Sequence, residues 1–161
     1  MLGSIRRDQH VQLRACLTFA MYRQDYLMRL IQQLAEFLAR IAGFNRKGEH
    51  DKALATARQA WDELLDAPRD VIAAADSATL ASMLREPAKI RAAAELCHEE
   101  GRALEGKGDP VHAQLRYRRA LELVLEARAR DPRDEDDAAI LELSRLAPVD
   151  TLDPRYRMPA D

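Results

Sequence analysis

Apolar positions become regular near residue 27. Leu27, Leu30, Leu34, Phe37, Ile41 and Phe44 recur at alternating steps of three and four, and Ile31 and Leu38 widen the stripe. Arg29, Gln32, Gln33, Glu36 and Arg40 occupy the opposite side, so the pattern predicts an amphipathic helix beginning at about Tyr22. A stripe this wide needs partners on both flanks, and this helix is expected to be the spine of the core. Gly48 ends it, because glycine takes the left-handed conformation past a helix end at little cost. A second helix is predicted from about Glu49 to Leu65, with Ala53, Ala57, Ala60, Trp61 and Leu64 on one face and Pro68 closing the unit.

Between Asp70 and Glu86 the pattern predicts one or two short helices, with Asp76 or Ser77 as an N-cap for a turn or two carrying Leu80, Met83 and Leu84. Pro87 suits the first position of the next long helix, which runs to about Gly106. After a turn at Gly108-Asp109-Pro110, another helix is predicted from Val111 to about Asp131. Asp134, Glu135, Asp136 and Asp137 favour the start of a closing helix, whose dipole attracts negative charge. That helix carries Ile140, Leu143, Leu146 and Ala147. The helical domain is therefore expected over residues 22–147. Residues 1–21 are weakly patterned and are either a leading helix or a loose extension, with Met21 as an alternative start. Pro148, Pro154 and Pro159 predict an extended, flexible tail over residues 148–161.

A shift of 60 residues superimposes the two strongest helix pairs: Leu30 falls on Ile90, Leu34 on Ala94, Phe37 on Cys97, Ile41 on Gly101 and Phe44 on Leu104. The turn glycines Gly48 and Gly108 coincide, and Ala53, Ala57 and Ala60 then match Ala113, Tyr117 and Ala120. One gapless register aligning two helices and their turn marks an internal repeat. Small residues such as Gly101 and Ala113 suit close approach of the paired backbones, with Leu104 and Tyr117 filling the space beside them.

In the second unit the order Gly101, Leu104, Gly108, Ala113, Tyr117, Ala120 resembles the tetratricopeptide-repeat (TPR) motif. The first unit keeps Phe37, Phe44, Gly48, Ala53 and Ala60, but has Ile41 where that family favours a small residue and Ala57 where it favours an aromatic. The resemblance covers about Met28 to Pro132 and implies an all-α fold of antiparallel helical hairpins, with a short helical insert and a closing helix. It departs from a TPR array in its period, 60 residues here against about 34. The segment Gln24-Asp25-Tyr26-Leu27 with Arg29-Leu30-Ile31, followed by a hairpin, also looks like an uncharacterised bacterial family of TPR-like domains. TPR proteins usually meet ligands on the inner face of each first helix. The resemblance places Ala35, Leu38, Ala42 and Asn45 there in the first unit, and Glu95, His98, Arg102 and Glu105 in the second. Arg102 offers a fork that suits a carboxylate, although pairing of His98 or Arg102 with glutamates of their own helix is the plainer expectation.

Composition narrows the function. Apolar residues make up 47% of the chain, charged residues 32% and aromatic residues 5%, a mixture suited to packed helices. Net charge is -2 without a basic stripe, so no nucleic-acid partner is expected. Arg116, Arg118 and Arg119 form a basic knot that Glu122 can neutralise within one turn. No stretch suits a membrane span or a signal peptide, and a cytoplasmic location with reduced Cys16 and Cys97 is expected. His10, His50, His98 and His112 lack ligand spacing, Glu99-Glu100 and Asp136-Asp137 read as solvated faces or caps, and no nucleophile motif or phosphate loop occurs. No cofactor, metal or catalytic residue is expected. The expected function is a protein-binding or assembly module, with the stripe from Leu27 to Phe44 available as a homodimer interface. The alternative is a small enzyme or ligand sensor with a pocket near Cys97, His98 and Arg102.

Overall fold

A computed structural model describes residues 2–157, with side chains described from residue 9. Seven α-helices follow one another among the described residues, and no strand occurs there: α1 Leu2–Arg46, α2 His50–Leu64, α3 Arg69–Ala74, α4 Ser77–Leu84, α5 Pro87–Gly106, α6 Pro110–Arg130 and α7 Asp134–Leu146. The fold is all-α. Pro87 and Pro110 each open a helix, where a missing N–H costs nothing, and Asp76 caps α4 by accepting from the Thr79 N–H at 2.7 Å.

The 60-residue repeat reappears as two hairpins with the same turn chemistry. Gly48 (φ 74°) and Gly108 (φ 82°) both have the positive φ that favours glycine. The N–H of Glu49 donates to the Phe44 carbonyl and that of Asp109 to the Leu104 carbonyl, each at 2.9 Å. Likewise Lys47 bonds back to Gly43 and Lys107 to Ala103. Within the α5–α6 hairpin, a Cβ on Gly101 would lie 2.5 Å from Cε1 of the buried Tyr117 ring, so the approach admits only glycine. The first hairpin has Ile41 and Ala57 at the equivalent positions, both fully buried. Bulk that α6 supplies in one unit is supplied by α1 in the other.

Three expectations change. The spine is α5, not α1: it packs against α1, α2, α4 and α6. Ala92, Ala93, Ala94, Leu96, Cys97 and Ala103 are buried around it, and such small side chains let four neighbours approach. The stripe from Leu27 to Phe44 is covered within the chain by α2 and α5, which removes it as a homodimer surface; Leu30, Leu34, Phe37 and Ile41 are buried. The segment after Pro148 forms two 3-10 turns through Tyr156 rather than an extended tail. Leu152 is buried there, and the Tyr156 hydroxyl donates to Glu126 at 2.7 Å; Pro159 lies outside the described residues.

Residues 2–21 are helical and continuous with the rest of α1, so Met21 lies mid-helix. Every side chain from residue 9 to residue 26 is exposed, and Leu27 is the first to be half-buried. That stretch is an arm about 27 Å long at the helical rise.

Closing helix α7 is held by a long-range ion pair. Arg91 of α5 grips Asp136 through Nε and Nη2, both at 2.7 Å, while Nη2 also donates to the Asp131 carbonyl at the end of α6. Asp136 additionally accepts from the Arg133 N–H at 3.0 Å, so it caps its own helix while anchoring it. It is buried, so of its two readings, solvated face or cap, the structure shows the cap.

Gly101→Ala gains about 1 kcal/mol of helix propensity but forces a methyl into Tyr117, costing up to about 3 kcal/mol. Denaturant unfolding is expected to show a net loss of about 1–2 kcal/mol; equal stability would mean the helices are not in tight contact. Asp136→Ala is expected to cost about 3–5 kcal/mol by stranding Arg91. The guanidinium holds the Asp136 carboxyl below its ordinary value. Its contribution is therefore present above about pH 4 and lost as pH falls through the lowered folded value. Thermal melts should show an acid limb that Asp136→Asn flattens.

Candidate binding cleft

The first helices of the two hairpins do not close on each other completely. Between them lies a cleft of about 370 Å³. From α1 it is lined by Leu38 and Ala42, and from α5 by Ala94, Glu95, His98 and Glu99. Val124 of α6 lies in its wall, and Ala139, Glu142 and Leu143 of α7 complete it. The anchoring of α7 through Arg91 and Asp136 thus fixes one wall of the cleft. Its carboxylates come from two elements, and no lysine or arginine is among the lining residues.

His98 is half-buried, its ring edge-on to Tyr117 with centroids 5.9 Å apart. Nε2 is buried without a hydrogen-bond partner and lies 3.8 Å from Glu142 Oε1, beyond hydrogen-bond reach. Burial lowers the imidazole's affinity for a proton more than the Glu142 carboxylate raises it, so His98 titrates below its ordinary value. Glu99 accepts from Asn45 Nδ2 at 2.8 Å and meets Arg102 at 3.4 Å. Asn45 also contacts His50 Nδ1 at 3.2 Å, so one polar network joins the end of α1, the start of α2 and α5. Glu95 has neither a hydrogen bond nor an ion pair among the described residues. Glu95 is exposed at the cleft mouth, and its carboxyl is raised, first by partial loss of hydration beside the cleft wall and then by the Glu99 and Glu135 carboxylates.

Of the four candidates in the second unit, the structure brings Glu95 and His98 together in the cleft. Arg102 is exposed and turned to Glu99, and Glu105 accepts the Tyr117 hydroxyl at 2.7 Å; neither lines the cleft. From the first unit Leu38 and Ala42 form its wall and Asn45 adjoins it through Glu99, while Ala35 is exposed elsewhere. The sequence predicts α7 but not its place in the cleft wall. The signal available was a glutamate, Glu142, immediately before an inward Leu143 in a helix assigned only to closing the fold.

Cys97, His98 and Arg102 do not converge. Cys97 is fully buried in the core, which pushes its thiol up to about 12, whereas His98 faces the cleft and Arg102 the solvent. Among the described residues no group of three or more His, Cys, Asp or Glu side chains is placed to hold a metal ion. No described helix is long and apolar enough to cross a membrane.

A second cleft of about 390 Å³ lies between the insert, α6 and the tail, with Arg116, Arg118 and Arg119 in its lining. Arg119 is not neutralised by Glu122 as the spacing suggests. Its guanidinium caps the C-terminal carbonyls of α3, Ile72 at 3.2 Å and Ala75. Arg118 meets Glu122 at 3.4 Å, and Arg116 lies 3.9 Å from Glu100. Glu100 is buried and accepts from Trp61 Nε1 at 3.3 Å, so it too is no solvated carboxylate.

Comparison with protein-family models, curated proteins and solved structures finds no match for this chain. The resemblance noted above rests on the repeat residues themselves.

NMR titration is expected to place the His98 midpoint below about 6.5, and Glu142→Gln to move it lower still, because the carboxylate that favours imidazolium is removed. No movement on substitution would show that Glu142 does not face the ring.

Proposed function

We propose that this chain is a non-catalytic protein–protein interaction and assembly module of TPR-like type. The observation that carries this reading is the arm of α1. Val11, Leu13, Leu17, Phe19, Met21, Tyr22, Tyr26 and Met28 are each more than half exposed along it. Apolar surface of this extent on one helix marks a contact site, since burial of each large side chain is worth about 1.5–3 kcal/mol.

The first partner is a second copy of the chain. An antiparallel pairing centred between Phe19 and Ala20 sets Arg14 of each copy level with Asp25 of the other. It also sets Val11 level with Met28 and Leu17 with Tyr22, flanking that pair on the same helix face. Two-fold pairing repeats each contact twice, which suits an isologous interface. The arm replaces the Leu27–Phe44 stripe as the surface for self-association.

Sedimentation velocity across micromolar concentrations tests this. The wild type is expected to sediment as a dimer, and the triple variant Val11→Glu, Leu17→Glu, Met21→Glu as a monomer with the melting behaviour of a folded domain. A wild type that stays monomeric throughout overturns self-assembly through the arm.

A further inference from the structure

We propose that the cleft between α1, α5, α6 and α7 receives a lysine or arginine side chain borne on an apolar stretch of a partner protein. The inference rests on the chain's being an interaction module, but it concerns a surface separate from the arm. Charge is the first argument. Three carboxylates line the cleft and no lysine or arginine does. Glu99 is already shared between Asn45 and Arg102. Glu95 on the α5 wall and Glu142 on the α7 wall are exposed at the cleft mouth and make no such contacts: Glu95 has no protein partner among the described residues, and Glu142 meets only His98, at 3.8 Å. His98 does not offset this charge near neutral pH, because burial keeps its ring in the neutral form.

The second argument is the surface beneath the carboxylates. Leu38, Ala42, Ala94, Val124, Ala139 and Leu143 present only aliphatic groups. Long basic side chains match such a site, since they lay an aliphatic stem along apolar surface and hold the charged head at its edge. An acidic or neutral polar segment would leave the carboxylates unneutralised and the aliphatic surface uncovered. The third is His98 Nε2, a buried ring nitrogen lacking a partner. In the neutral tautomer protonated at Nδ1, a small turn of the ring toward the cleft lets it accept an N–H from an incoming ammonium or guanidinium.

Selection of random dodecapeptides displayed on phage against the immobilised full-length protein, followed by fluorescence anisotropy of the enriched peptides, tests the assignment. Enriched sequences are expected to carry Lys or Arg beside aliphatic residues. Glu142→Lys and Glu95→Lys should each weaken binding at least tenfold, and the milder Glu142→Gln several-fold. Glu63→Lys, an exposed site on α2, should change it less than twofold. Circular dichroism melts establish that each variant is folded. No enrichment, enrichment of acidic peptides, equal weakening by Glu63→Lys and Glu142→Lys, or equally tight binding of free spermidine would overturn the proposal. Because none of these substitutions touches the arm, a monomeric wild type and a cleft that ignores basic peptides are separate failures.

Discussion

Helix α5 is touched by α1, α2, α4 and α6 at once, and a helix can have four close neighbours only where its own side chains are short. The run Ala92-Ala93-Ala94, with Gly101 and Ala103, meets that condition. At Gly101 it reaches its limit, because the Tyr117 ring occupies the space a methyl would need. Every other packing relation follows from this axis. Placing α5 in the middle determines where α1 stops being covered, where the insert rests, and which flank remains for α7. The cleft is the remainder of that arrangement, the strip along α5 that neither α1 nor α7 fills.

Charge in this protein is organised locally although it nearly cancels overall. A net charge of -2 gives no hint that the only charged groups lining one cleft are carboxylates and a histidine, while another sets three arginines against Asp76, Glu122 and Asp153. Several of those ionic groups are structural. Asp136 caps and anchors α7, Arg119 serves the end of α3, and Glu100 holds Trp61 from inside the core. Removing such groups from the inventory leaves Glu95 and Glu142 as charges with no evident packing role. That residue of unused charge, rather than the total, separates the two clefts.

Much of the fold was legible because its signals are local. The three-and-four spacing of Leu30, Leu34, Phe37 and Ile41 marks a buried face, and Gly48 and Gly108 mark turns whose hydrogen bonds repeat. The direction of packing was not legible. An alanine run has no preferred side, so nothing in residues 92–94 announces that α5 is the axis. The cleft was half legible for the same reason: the repeat placed Glu95 and His98, whereas Glu142 belongs to a helix outside it. The position of α7 depends on Arg91 meeting Asp136 across 45 residues, a contact that spacing along the chain cannot reveal. Leu152, a single leucine among prolines, carried no periodicity to distinguish it from a tail, yet it is buried.

The exchange of bulk between the two hairpins has a consequence for modularity. Their turns share the main backbone hydrogen bonds, which invites treating the units as spare parts. They are not. Grafting the first helix of the second unit onto the second helix of the first would bring Gly101 to a position served by Ala57 and leave a void. The reciprocal graft would drive Ile41 against Tyr117. The two halves of each hairpin are fitted to one another at this position, so a helix of one unit cannot stand in for its counterpart in the other.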